Sequence, residues 1–217
     1  MSNQAIYSAR NYSYLRGFWN VHLHTKQISE SVKQSFSSKD IEFIETIGMP
    51  QDPFLENTTK ITFRTFEQQF HSIVFEQRRY LPIGRLVLPN GWSYGVIAVD
   101  SETHRIFILS IDLDTGKALT SQKITLMNTS LINLVYFLTL YKVFFPSLQN
   151  LINKRNEASA INALSDGKEV DAFLEGLQHE TDNIVKVLSD EFQSIDADAV
   201  SEERNYWPEF LLQYTYL

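Results

Sequence analysis

Apolar and polar residues alternate along this chain with two different periods, and the switches between them mark out helix, strand and helix in turn. From Ser38 to Ile47, Ile41, Ile44 and Ile47 recur every third residue with Phe43 beside them, which predicts a short helix. Ser37 or Ser38 can cap it, Asp40 adds negative charge to its first turn, and Gly48 followed by Pro50 ends it. Period two takes over in Lys60-Ile61-Thr62-Phe63-Arg64-Thr65-Phe66, as in a half-buried strand. Ser72–Glu76 is a weaker second strand. Tyr80–Leu88 is a third, and Pro82 within it predicts an edge position or the start of a strand. Pro89-Asn90-Gly91 is a turn by residue type. Trp92–Val99 follows as a fourth strand, and from Val96 it is apolar on both faces, which predicts a central position.

The pattern continues with a hairpin turn at Asp100-Ser101-Glu102-Thr103 and an antiparallel return from Arg105 to Leu109. Another turn lies at Asp112–Gly116 and another strand at Gln122–Leu126. Helical spacing resumes beyond Thr129, which can cap a helix from Leu131 to Phe145, with Asn128 and Ser130 as rival caps. From Glu169 to Phe192, Val170, Phe173, Leu174, Leu177, Ile184, Val187 and Leu188 recur at helical spacing between charged residues. Helix, a meander of strands, then helices is an α+β order, and it predicts one domain with a central, mainly antiparallel sheet flanked by helices. Residues 1–36 lack a clean period, yet Tyr7, Tyr12, Tyr14, Phe18 and Trp19 are too apolar for a free tail. They are read as an extension docking on the core, with residues 37–217 as the domain itself.

Composition narrows the function classes. With 217 residues, 43% hydrophobic and 13% aromatic, the chain can bury one sizeable core. It has no cysteine, which removes disulfides, thiolate metal sites and cysteine nucleophiles. Met1–Tyr7 has no basic region leading into an apolar stretch, so no signal peptide is expected, and the expected compartment is the cytoplasm. The run Leu131–Phe145 contains Asn133, Thr139 and Lys142 and is shorter than the roughly 20 apolar residues a spanning helix needs. It is expected to be a core helix. Charge is placed unevenly: residues 1–150 carry 14 Lys+Arg against 12 Asp+Glu, whereas residues 151–217 carry 5 against 14. An acidic C-terminal third repels nucleic-acid phosphate and attracts a basic protein.

Motifs for catalysis are missing. His22 and His24 supply two ligands where a metal needs three or four. Asp112-x-Asp114 with Gly116 resembles half a calcium loop, but Gln122 and Lys123 follow where a bidentate Glu belongs. Gly84 and Gly91 are not followed by Gly-Lys-Ser/Thr, and no Gly-x-Ser-x-Gly elbow is present. His104, with Asp100 and Glu102 near it in sequence, reads as a loop histidine rather than a base. The motifs thus give no positive evidence of enzymatic activity, a cofactor or a metal, and a hydrolase with an unrecognised site around His104 and Asp100 stays open as a rival. Trp92 and Tyr94 share one face of their strand and can serve either the core or an interface. Leu211, Leu212, Tyr214, Tyr216 and Leu217 form an apolar end that must pack on this domain or a partner.

Four short groups occur in a fixed order: Ile47-Gly48-Met49-Pro50, Leu81-Pro82-Ile83-Gly84, Ile97-Ala98-Val99-Asp100 and Asn128-Thr129-Ser130-Leu131. Ile195-Asp196-Ala197-Asp198-Ala199-Val200 with Trp207 closes the series. This order resembles the fourth group of the SUKH superfamily of immunity proteins. The likeness covers about residues 37–145 and 190–212, with Met49 standing for the usual Leu and Thr129 where Ser is commoner. It implies a non-enzymatic α+β protein that binds and blocks a cognate toxin domain of nuclease or deaminase type. The alternative it leaves open is a ligand-sensing, scaffold or regulatory module of the same fold. Asp166, Glu169, Asp171, Glu175, Glu180 and Asp182 are the carboxylates expected to meet such a toxin, with Trp92 and Tyr94 as aromatic candidates.

Overall fold

The computed structural model describes residues 12–19, 23–24, 29–50, 54–55, 59–63, 72–87, 93–111, 124–162 and 168–215. Their order is helix, strands, helix: α1 (Tyr12–Phe18), β1 (Leu23–His24), α2 (Glu30–Lys33), α3 (Ser38–Thr46) and β2 (Met49–Pro50) come first. The strands β3 (Phe54–Leu55), β4 (Thr59–Phe63), β5 (Ile73–Phe75), β6 (Arg78–Val87), β7 (Ser93–Asp100), β8 (Ile106–Leu109) and β9 (Ile124–Asn128) follow. Four helices complete the described chain: α4 (Leu131–Asn162), α5 (Lys168–Ile195), α6 (Ala197–Val200) and α7 (Tyr206–Leu212). The fold is α+β, as the order of periods predicts. The chain divides into two compact units, residues 1–139 and 140–217.

In the first unit seven of the nine described strands form one sheet of order β3-β4-β6-β7-β8-β9, with β5 also pairing β6, while β1 and β2 pair in a separate two-stranded sheet, and every described pairing is antiparallel. Strand β7 lies inside it, between β6 and β8. Val96, Ile97, Ala98 and Val99 are all fully buried, so both faces of β7 are covered, as its unbroken apolar run requires. Val96 and Ala98 join Phe75, Tyr80, Leu109 and Ile111 in one apolar cluster. Gly95 belongs here for want of room: a Cβ would stand 2.7 Å from Cγ2 of Ile108.

Pro82 corrects the expectation of an edge position or a strand start, since it is the fifth residue of β6. Strand β6 is interior, pairing β7 along its length, β5 at residues 78–80 and β4 at residues 84–87. The amide of Ser101 donates to the carbonyl of Arg79 at 2.9 Å, so Arg79 and Leu81 face β7 and Pro82 faces the other flank. There the described pairings of β5 have ended and those of β4 have not begun, so the missing N–H of proline breaks none of these rungs. A bulge between Pro82 and Gly84 accompanies it.

Helix α3 forms where its cap and stripe predict. Ser37 is the N-cap, its hydroxyl accepting from the amide of Asp40 at 3.2 Å; Phe43, Ile44 and Ile47 are buried; and Gly48 has φ 92°. A β-carbon at that φ would be strained, so glycine ends the helix there. Among the three candidate caps of α4, Ser130 takes the role: its hydroxyl accepts from the amide of Asn133 at 3.2 Å. The amide of Ile132 is met from a distance in sequence, by Oδ1 of Asp40 at 3.1 Å. Oδ2 of the same carboxylate accepts from the Ser37 hydroxyl at 2.7 Å. One buried aspartate thus ties the start of α3 to the start of α4 and places negative charge at a helix N-terminus.

Helix α4 runs well past the expected end at Phe145, through Pro146 to Asn162. Proline removes one rung of the ladder at that point, and the rest of the helix carries on. Near the start of the chain, Leu15 and Trp19 are fully buried, and the Trp19 indole N–H donates to the Thr139 hydroxyl at 2.9 Å. That hydroxyl donates in turn to the Val135 carbonyl at 2.7 Å. Arg16 adds a bond from Nη2 to the Thr46 carbonyl at 2.8 Å, at the end of α3.

The second unit is held by rings. Phe192 of α5 meets Trp207 of α7 edge-on with centroids 5.1 Å apart, and Tyr141 of α4 meets Phe210 of α7 at 5.1 Å. The hydroxyls of Tyr141 and Tyr214 share a buried hydrogen bond of 2.6 Å. Leu211 and Tyr214 are buried in this cluster, while Leu212 is exposed; Tyr216 and Leu217 lie outside the described residues. On α5, Leu177 and Leu188 face inward as the spacing predicts, and Phe192 is buried too, but Phe173 and Val187 are not: they are 51% and 41% exposed.

Replacing Asp40 with Ala leaves the Ile132 amide and the Ser37 hydroxyl without their acceptor. A loss of about 1–3 kcal/mol is expected, less for Asp40→Asn, which keeps one carbonyl oxygen. Urea denaturation of the three proteins measures it.

Candidate binding surface

The residues that carry the family likeness are almost all occupied in building the fold. Asp100 ends β7 fully buried, and its Oδ1 accepts from the amides of Glu102 at 2.9 Å and Thr103 at 3.2 Å. Arg78 reaches Oδ2 through Nη1 at 3.1 Å. The chain reverses immediately, with His104 at φ 59° and its amide on the Asp100 carbonyl at 2.8 Å. The His104 ring contacts the Ser35 carbonyl through Nδ1 at 3.1 Å; since a carbonyl only accepts, Nδ1 carries the proton. Ser35 and Ser101 pair through their hydroxyls at 3.1 Å. This half-buried histidine therefore braces the segment after α2 against the β7–β8 turn. Its ring faces a backbone carbonyl, with no nucleophile to activate among these contacts.

Burial alone would push the Asp100 carboxyl upward, but the two amides and the Arg78 guanidinium more than offset it and hold it below the ordinary 3.8. Met49, Leu81, Ile83, Ile97, Ala98, Val99, Asn128 and Leu131 are each at most 3% exposed. Side chains so deeply placed cannot touch a partner, and the part of the molecule that can do so lies elsewhere.

Helix α5 is the most acidic exposed element described: its 28 residues hold seven Asp or Glu against two Lys. Asp171, Glu175, Glu180 and Asp182 are all exposed. At 100° per residue, Asp171, Glu175 and Asp182 fall within about 40° of one another on one flank of the helix, and Glu180 stands on the opposite flank. Asp182 is steadied by Nε2 of Gln178 at 2.8 Å. Glu169 and Tyr94 lie in α5 and β7, but their side chains are outside the described residues, as are Asp166 and Trp92 entirely. Phe173 and Val187 are the exposed residues that the sequence pattern misses. Their helical spacing matches that of the core positions, and only the packed structure separates them.

Among the described residues, no group of three or more His, Asp or Glu could hold a metal. His22, Asp112 and Asp114 lie outside them, and so does the side chain of His24. Leu131–Ala160 is long and apolar enough to cross a membrane by length and composition, but 61% of its apolar window is buried within the protein, as in a core helix.

The chain thus combines a helix–sheet–helix α+β fold, buried signature residues and an exposed acidic helix. The SUKH-4 immunity protein family matches residues 30–213, and the chain belongs to that family. No curated protein and no solved structure matches it.

Asp100 links this turn to pH. Its folded carboxyl gives up its proton more readily than the unfolded one, so its contribution is complete above 3.8 and is lost as pH falls below that value. Asp100→Ala is expected to lower stability at pH 7 by about 1–3 kcal/mol, mostly through the two part-buried amides that lose their acceptor, because Arg78 is half exposed. The difference from the parent protein should narrow at pH 3, read from urea midpoints at both values.

Proposed function

We propose that this chain is a non-enzymatic immunity protein that neutralises a cognate bacterial toxin domain, of nuclease or deaminase type, by occupying its surface in the cytoplasm. Membership of the SUKH-4 immunity protein family supports the class. The observation that carries the mode of binding is the exposed carboxylate face of α5. Enzymes acting on nucleic acids present basic grooves to phosphate, and a row of carboxylates offers such a groove charges of the same sign. Carboxylates meeting Lys or Arg accelerate encounter and fix register more than they deepen affinity.

In this reading Asp166, Glu169, Asp171, Glu175, Glu180 and Asp182 form the partner-facing set, and Trp92 and Tyr94 supply an aromatic contribution from the sheet. Residues 1–36 act as an extension seated on the core, a role supported by the full burial of Leu15 and Trp19, and residues 37–217 are the SUKH-like domain.

Two measurements test the proposal. Co-expression should restore growth to cells making the cognate toxin domain; unchanged killing, with the immunity chain soluble and abundant, contradicts it. The association rate constant with that domain should fall about tenfold between 20 and 500 mM salt, and a triple Asp171→Asn, Glu175→Gln, Asp182→Asn variant should start slow and respond less to salt. A flat rate across the series removes the electrostatic part.

A further inference from the structure

Phe173, Glu180 and Val187 stand at intervals of seven residues on α5, which puts them about 10 Å apart along its axis and within about 40° around it. All three are exposed, and Phe173 and Val187 are two of the four large exposed apolar side chains among the described residues. Leu177, buried, and Ile184, half-buried, lie just inside this row, so the stripe 173-177-180-184-187 follows the alternating four- and three-residue steps of a helix–helix seam. A half-exposed phenylalanine on a charged helix gains nothing from water and is the kind of side chain that anchors interfaces. Among the described residues, the Glu180 carboxylate has neither a hydrogen-bond partner nor an ion-pair partner.

We propose that this stripe is the anchoring seam of the interface and that its occupant is a basic amphipathic helix of the toxin domain. That helix would set apolar side chains against Phe173 and Val187 and a Lys or Arg against Glu180. The inference rests on the immunity reading and deepens it. Charge decides the partner's sign: an element with seven acidic residues and two basic ones repels another acidic face and selects a basic one. The two flanks then divide the work. Asp171, Glu175 and Asp182 steer the approach, and the Phe173–Val187 seam sets how long the complex lasts. Lys or Arg packed beside Phe173 would bury its methylene stem on the ring while its charge reaches Glu180.

The test uses the toxin domain neutralised in the co-expression assay and the full-length chain. Phe173→Ala and Val187→Ala should each raise Kd tenfold or more through faster dissociation, and Glu180→Lys should do so by repelling the basic helix. Glu175→Gln, on the other flank, should slow association and change dissociation less than the seam substitutions do. Because Phe173 and Val187 are partly exposed, the thermal transition should stay close to that of the parent protein; Phe173→Leu, which keeps an apolar contact, is measured beside Phe173→Ala to separate lost contact from lost fold. If the complex forms and the seam substitutions change Kd by less than tenfold, the seam is overturned and the immunity reading stands. If no complex forms with the parent chain, both fall.

Discussion

A backbone N–H without a partner costs up to about 1–3 kcal/mol where water is kept from it, and meeting that requirement at part-buried helix starts and turns is the constraint on which this fold rests. Two buried aspartates answer it at its sharpest bends. Asp40 supplies an acceptor to the first turn of α4 while staying bonded to the cap of α3. Asp100 supplies one to two consecutive amides of the β7–β8 turn. Helices α3 and α4 are far apart in sequence, and without Asp40 nothing described would pair the Ile132 amide at their meeting point. Asp100 allows the buried stretch of β7 from Gly95 to Val99 to end abruptly and feed β8 back beside it.

This constraint also sorts the molecule into parts that hold and parts that can bind. Asp40, Asp100 and the apolar residues Val96–Val99 of the sheet are at or near zero exposure, whatever their chemistry. Asp100 and His104, the pair that most resembles an acid–base site in the sequence, turn out to serve a turn and a carbonyl. The acidic excess is left on α5, whose inner face is fixed by Leu177, Leu188 and Phe192 and whose outer faces are open. A rigid helix packed on one side is a sound platform for recognition, since its exposed side chains need little ordering when a partner arrives.

Local signals were legible in the sequence and long-range ones were not. Ser37 as a cap, Gly48 as a helix stop, the two-faced burial of β7 and the Asp-led turn at Asp100 each depend on neighbours within a few residues. Pro82 misled because its residue type speaks for an edge, whereas the sheet accommodates it at a gap between two partners on one flank of an interior strand. Asp40 reads as first-turn charge for α3, and its bond to Ile132 requires knowing which helix start lies beside it. Phe173 and Val187 carry the same spacing as buried neighbours. A periodicity fixes the face of a helix to within some tens of degrees, and the packing alone decides where the covered sector stops. The candidate surface was accordingly visible as charge and invisible as shape.

The central claim is that this protein acts by staying bound, transforming nothing. Its most direct test is stoichiometry: a fixed amount of active toxin is titrated with the purified chain, and residual toxin activity is read after full equilibration. Activity should fall in a straight line and vanish near one equivalent, and return when high salt and dilution part the complex. Complete loss at a small fraction of an equivalent, or loss that persists after separation, would mean that the chain changes its target chemically and would contradict neutralisation by occupancy.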